Sequence, residues 1–207
     1  MFHVKQAADP LASVSRETMA RLTSYVDLLL RWNPTINLIS RRDEKHVWTR
    51  HVADSLALVP ALPGSVSRAI DLGSGAGLPG LVLAIATDIH FDLVESDHRK
   101  AAFLREAIRA PPAPAHVHAV RIEALTVPPA PLVTARALAP LTTLLAWSAP
   151  FLAAGGVCLF PKGRTAGDEL TQAAAQWHMR VETFPSATDP DATLLRLSEI
   201  TRVRPTS

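Results

Sequence analysis

Residues 71–80 read DLGSGAGLPG, with glycine at 73, 75, 77 and 80. Glycine is required where a backbone takes positive φ or where a ligand comes within contact distance of the main chain. The run Val66–Ile70 before this stretch is short and mostly apolar, as a buried strand would be. Leu81–Ala86 after it suits a helix packed on a sheet, and Pro79 suits that helix's first turn. The start of such a helix offers unpaired N–H groups and partial positive charge. The stretch therefore reads as a nucleotide-cofactor loop, the alternative being a glycine-rich turn that holds nothing.

Two cofactor classes compete. Gly75-x-Gly77-x-x-Gly80 satisfies the dinucleotide fingerprint, which alone is weak and would make the chain a nicotinamide-dependent oxidoreductase. Asp71 points the other way. A carboxylate at the strand end, facing the ligand, would repel a pyrophosphate, whereas S-adenosylmethionine carries an ammonium, a sulfonium and no phosphate. Asp71, Gly73, Gly75 and Gly77 are therefore expected to hold S-adenosylmethionine. Glu95 ends a second apolar strand, His90–Val94, where an acid accepts from ribose hydroxyls in doubly wound folds. It could instead join Asp97 as a helix N-terminal acid. Ile122 and Glu123 follow a third strand and would edge the adenine, unless Glu123 is a solvated loop acid.

Other reactive residues gather downstream and upstream. Arg136 falls at the carboxyl end of a strand over 132–135, where ligands of open α/β sheets bind, and Lys162-Gly163 leaves the next strand at the same edge. A helix from about Asp43 to Leu58 would carry Arg50, His51, Asp54 and Ser55 on one polar face, with His51 and Asp54 able to touch. Taken alone, that face reads first as an ordinary helical ion pair. His116 and His118 alternate onto one strand face, but no third ligand is evident, so no metal is expected.

The elements that must position these groups alternate β and α. Ser15 caps an amphipathic helix over 15–32, which Trp32-Asn33-Pro34 should end. Helices are expected at 97–108, 141–152 (stopped by Gly155-Gly156) and 166–177. Strands at 116–120, 132–135, 157–160, 181–184 and 193–198 complete a mostly parallel sheet, the last two pairing antiparallel. Residues 1–64 form a helical cap within the same compact unit as a core at 65–207. At 207 residues the chain needs no disulfide to bury a core, and its single cysteine, Cys158, fits a reducing cytoplasm. MFHVKQAADP does not read as a leader. The uncharged run 137–160 is broken by Pro140, Pro150 and Gly155-Gly156, so it reads as core and not as a membrane span. Charge is nearly balanced, 21 Lys and Arg against 19 Asp and Glu, which names no partner.

Trp32-Asn33, Asn37-Leu38-Ile39-Ser40, His51, Asp54-Ser55, the glycine loop ending Leu78-Pro79-Gly80, Glu95-Ser96, Arg136-Ala137 and Lys162-Gly163 occur in that order. Together, over roughly 15–200, they resemble the bacterial ribosomal RNA small subunit methyltransferase G family, also called glucose-inhibited division protein B. The resemblance implies a Rossmann-like class I S-adenosylmethionine-dependent methyltransferase. It implies methyl transfer to N7 of guanine 527 of 16S rRNA within the small ribosomal subunit, by a cytoplasmic protein, most simply a monomer, with no DNA and no membrane partner. By position Gly73 and Leu78 would line the cofactor, Ile122 and Glu123 would edge its adenine, and Arg136 would lie between cofactor and acceptor. Arg50, His51, Asp54, Ser55 and Lys162 would orient the acceptor, with no general base. RNA binding would come from Arg41, Arg42, Lys45, Arg50, Lys162 and Arg164. Ala135, where serine is expected, and Pro161 depart from the pattern and bear on the acceptor loops. A catalytically silent RNA-binding factor on the same fold is the remaining alternative.

Overall fold

The computed structural model describes residues 10–186 and 188–203. The first nine residues, where no leader is expected, lie outside them. Seven strands form one sheet: β1 (Arg68–Leu72), β2 (His90–Val94), β3 (Ala115–His118), β4 (Ala130–Ala135), β5 (Leu152–Lys162), β6 (Trp177–Pro185) and β7 (Thr193–Arg202). Their order is β3-β2-β1-β4-β5-β7-β6. The first five are parallel, and β7 inserts antiparallel between β5 and β6. This is the expected Rossmann-like sheet with an antiparallel end.

Period-two alternation divides the core between the sheet's faces. Ala69, Phe91, Leu93 and Leu132 join one buried cluster, with α1 (Arg16–Ile36), α3 (Gly80–Ala86) and α4 (His98–Ala107). Ile70, Leu72, Val133 and Ala135 join the other, with α5 (Leu141–Ser148) and α6 (Ala166–Ala174). Phe103 of α4 packs edge-on against Trp32 of α1 at 5.9 Å between ring centroids, which seats the N-terminal helix on the nucleotide half.

Several expected boundaries move. Ser15 does cap α1, accepting from the Thr18 amide at 3.0 Å. The helix, however, runs through Pro34 to Ile36 and closes at Asn37, in the left-handed region at φ 50°. Pro34 has no N–H to donate to the Leu30 carbonyl, yet the helix continues past it and Asn37 N–H donates to Asn33 O to close the last turn. Asn33 is then buried, its side chain accepting from Ile39 N–H at 2.8 Å and donating to Glu44 at 2.7 Å. The expected helix over 43–58 is instead a tight turn (Glu44–His46), a widened π turn (Trp48–Val52) and one α turn, α2 (Ala53–Leu56). Helix α5 ends at Ser148, before Pro150, and Gly155-Gly156 lie inside β5. Trp177, expected in a helix, begins β6 and is buried. No helix among the described residues is long and apolar enough to cross a membrane.

Candidate active site

The loop after β1 carries three consecutive alternate glycines in the left-handed region, Gly73 (φ 64°), Gly75 (φ 56°) and Gly77 (φ 89°). They bend the chain so that Gly73–Ala76 border a cavity of about 480 Å³ at the carboxyl ends of β1, β2 and β4. A Cβ on Gly75 would meet only the Gly73 carbonyl, at 3.8 Å, so it would project into open space. Gly77 and Gly80 face inward: a Cβ on Gly77 would strike Leu81 at 2.8 Å, and one on Gly80 would strike Asp71 at 2.6 Å. Of the three glycines in the dinucleotide fingerprint, only Gly75 borders the cavity.

Asp71 does not border the cavity. β1 continues two residues beyond the expected end, and alternation turns Asp71 onto the face that α3 covers. It is fully buried, accepting from the Thr134 hydroxyl at 2.6 Å on the neighbouring strand, and burial pushes its pKa up to about 6. Its part is to shape the loop from beneath. Turned away from the cavity, the Asp71 carboxylate does not set a pyrophosphate apart from S-adenosylmethionine by direct contact.

Glu95 borders the cavity and holds the loop open. Oε2 accepts from Gly75 N–H at 2.9 Å and Oε1 from Asp97 N–H at 2.7 Å, leaving further lone pairs on both oxygens. Asp97, not Glu95, caps α4, accepting from the amides of Arg99 and Lys100. Leu78, Ile122, Glu123 and Arg136 line the same cavity. Residues that sequence reasoning missed also bear on it. Tyr25 of α1 donates to Ala76 O at 2.7 Å and so pins the glycine loop from the helical cap. Lys100 of α4, Leu138 of the loop after β4 and Trp147 of α5 line the cavity, and no motif in the sequence marks them.

A second, larger cavity of about 1,030 Å³ adjoins the first, with His51 and Arg136–Leu138 bordering both. Arg50, Asp54 and Lys162 line it. Arg136 is partly buried, and its Nη2 donates to His51 Nδ1 at 2.9 Å. A guanidinium only donates, so His51 is neutral with its proton on Nε2. Burial, reinforced by Arg136, lowers the His51 pKa to about 4. His51 and Asp54 do not pair: the irregular turns replace the regular helix, and Asp54 instead accepts from the Thr188 hydroxyl, with Arg136 Nη1 4.0 Å from its other oxygen. Burial raises the Asp54 pKa. Ser55 leaves the expected set, being buried and donating to the His51 carbonyl at 2.7 Å. Lys162 is bound to Glu169 at 2.7 Å and to the Ala139 carbonyl at 2.9 Å. On the opposite side of β2, His118 is engaged by Asp92 at 2.7 Å, which Arg68 also grips at 2.6 Å.

The first cavity can thus hold a small molecule through backbone, the carboxylates of Glu95 and Glu123, and apolar walls. It opens past an arginine onto a roomier polar chamber. Two solved structures share the fold. One is a ribosomal protein L11 methylase from Lactobacillus delbrueckii subsp. bulgaricus (TM-score 0.59, 13% identity, 75% of this chain and 79% of that one). The other is MtNAS in complex with S-adenosylmethionine (TM-score 0.56, 14% identity, 88% and 76%). At these identities they speak for the fold alone. Sequence relatives speak for more. A protein of Rhodospirillum centenum is 59% identical over 187 residues, covering 90% of this chain and 87% of its own length. One from Granulibacter bethesdensis is 53% identical over 216 residues, covering 98% and 100%. Both are named ribosomal RNA small subunit methyltransferase G. The family model described as rRNA small subunit methyltransferase G matches residues 18–194, and the chain belongs to that rRNA methyltransferase family.

Proposed function

We propose that the protein transfers a methyl group from S-adenosylmethionine to N7 of guanine 527 of 16S rRNA, acting in the cytoplasm on the small ribosomal subunit. The observation that carries this reading is the pair of adjoining cavities that meet at Arg136. The first suits the methyl donor. Gly73 and Gly75 let a ligand reach the backbone, Glu95 keeps acceptor capacity for ribose hydroxyls, and Ile122 and Glu123 offer an edge to the adenine. Asp71 and Gly77 support that loop from below. When bound, S-adenosylmethionine supplies an electrophilic methyl on a sulfonium.

Guanine N7 has an in-plane lone pair and no proton, so the chain has no proton to remove from it. This fits what borders the second cavity at Arg136. His51 spends Nδ1 on Arg136 and is held neutral far below its ordinary titration range, which suits a positioning role. Arg136, fixed by His51, can face the cofactor carboxylate or the guanine O6 edge. The chain's remaining tasks are to hold the base at near-attack distance and to exclude water. A calorimetric titration tests the first half. S-adenosylmethionine should bind and NADH should not. Glu95→Ala should weaken S-adenosylmethionine by about 1.5–3 kcal/mol through the lost charge-assisted acceptor. Binding of NADH alone, or unchanged affinity in folded Glu95→Ala, would remove the assignment.

A further inference from the structure

Resting on that reading, the second cavity also holds a group that could tell guanine from other bases. Its ionised side chains are mostly spent on one another. Lys162 and Glu169 satisfy each other, with Glu169 also accepting from Leu141 N–H at 2.7 Å and Thr165 at 2.9 Å. Asp43 takes Arg50 at 3.2 Å and the Ser40 hydroxyl at 2.7 Å. Asp189 accepts from Asp191 N–H at 2.9 Å and so shapes its own loop. Asp54 differs. One of its oxygens takes the Thr188 hydroxyl, which fixes the carboxylate plane, and the other lies 4.0 Å from Arg136, beyond hydrogen-bond reach. Its side chain is 28% exposed, and the cavity is where it is exposed. It also stands beside the arginine that borders both cavities.

We propose that Asp54 accepts from the N1–H and N2 amino edge of the acceptor guanine and is the residue that selects guanine for methylation. That edge presents two donors side by side, the complement of a carboxylate. Adenine presents an acceptor at N1, which would face the carboxylate without a proton between them, so it is rejected by repulsion as well as by a missing bond. The same contact serves the reaction. As N7 takes the methyl, the purine becomes cationic and its N1–H a stronger donor. The bond to Asp54 is therefore tighter in the transition state than in the ground state, with the proton remaining on N1. Thr188 is the positioning residue for that carboxylate.

The test places inosine, which lacks only the N2 amino group, at the target position of 16S rRNA in reconstituted small subunits. Single-turnover methyl transfer is followed for the wild-type protein, Asp54→Asn and Asp54→Ala. Calorimetric S-adenosylmethionine binding shows that each variant is folded. Wild type should lose roughly tenfold or more in rate on inosine, as for a hydrogen bond to a charged group. Asp54→Ala should be slow on guanine and lose less than about threefold further on inosine. Asp54→Asn keeps the shape and the Thr188 contact without the charge, and should fall between. An equal inosine penalty in wild type and both variants, with the methyl still mapped to N7, would overturn the role of Asp54 alone. A methyl mapped to any other atom would overturn the functional reading beneath it.

Discussion

Burial shifts the titration of both Asp71 and His51 within mildly acidic pH, and the two act in opposite directions on stability. The folded His51 titrates at about 4 against 6.5 ordinarily, so between these values the unfolded chain holds a proton that the folded one lacks. Its contribution therefore grows as pH rises from 4 to 6.5 and is complete above that. Asp71 is raised from 3.8 to about 6, so the folded chain holds the extra proton and loses stability as pH climbs through that window. The two largely offset near pH 5. Asp71→Asn, which can still accept from Thr134, should unmask the contribution of His51. Its unfolding free energy relative to wild type, from urea titrations, should increase between pH 4 and 6. Parallel curves would mean that Asp71 is not buried as described. The sequence located Asp71 but not its direction. A shift of two residues in the end of β1 turned it from the cavity to the face under α3, and strand ends are set by tertiary pairing with β2 and β4.

Elements with strong local punctuation were legible, and elements ended by packing were not. His90–Val94 matched its expected bounds, and Asp97 began α4 as a cap, because apolar alternation and capping chemistry are written in adjacent residues. The segment over 43–58 was not legible, since a π turn leaves the same residue types in sequence while rotating them. That rotation separated His51 from Asp54 and buried Ser55, and it also freed Asp54 to meet Thr188 from the loop before β7. Arg136 was legible because it directly follows a short apolar strand. The same distinction predicts opposite effects for two glycine substitutions. Gly80→Ala places a Cβ 2.6 Å from the buried Asp71 side chain, which backbone pairing holds in place, and should cost about 1–3 kcal/mol. Gly167→Ala in α6 meets open space and should stabilise by about 0.5 kcal/mol. Thermal unfolding of the two variants checks the sign of each.

For the molecule as a whole, the site lies where helical cap and sheet meet. Tyr25 and Asn33 of α1 hold the glycine loop and the 39–44 segment, so residues far apart in sequence fix both cavities. Arg41, Arg42 and Lys45 are exposed beside that segment, whereas Lys162 is committed to Glu169 and so leaves the set of phosphate-binding candidates. Neutralising Arg41 and Arg42 together should reduce the dependence of log affinity for small subunits on log salt by about 0.7–0.9 for each phosphate no longer neutralised, and Lys162→Gln should leave that slope unchanged. An unaltered slope in the double variant would move the RNA surface elsewhere on the protein. The central claim is the atom that receives the methyl. Small subunits from cells lacking this protein should be incubated with it and radiolabelled S-adenosylmethionine, and the labelled nucleotide then identified by mass and by chain cleavage specific for 7-methylguanosine. We predict one labelled nucleotide, 7-methylguanosine at position 527 of 16S rRNA. Label at another base or another atom, or none with folded, S-adenosylmethionine-binding protein, would contradict that assignment.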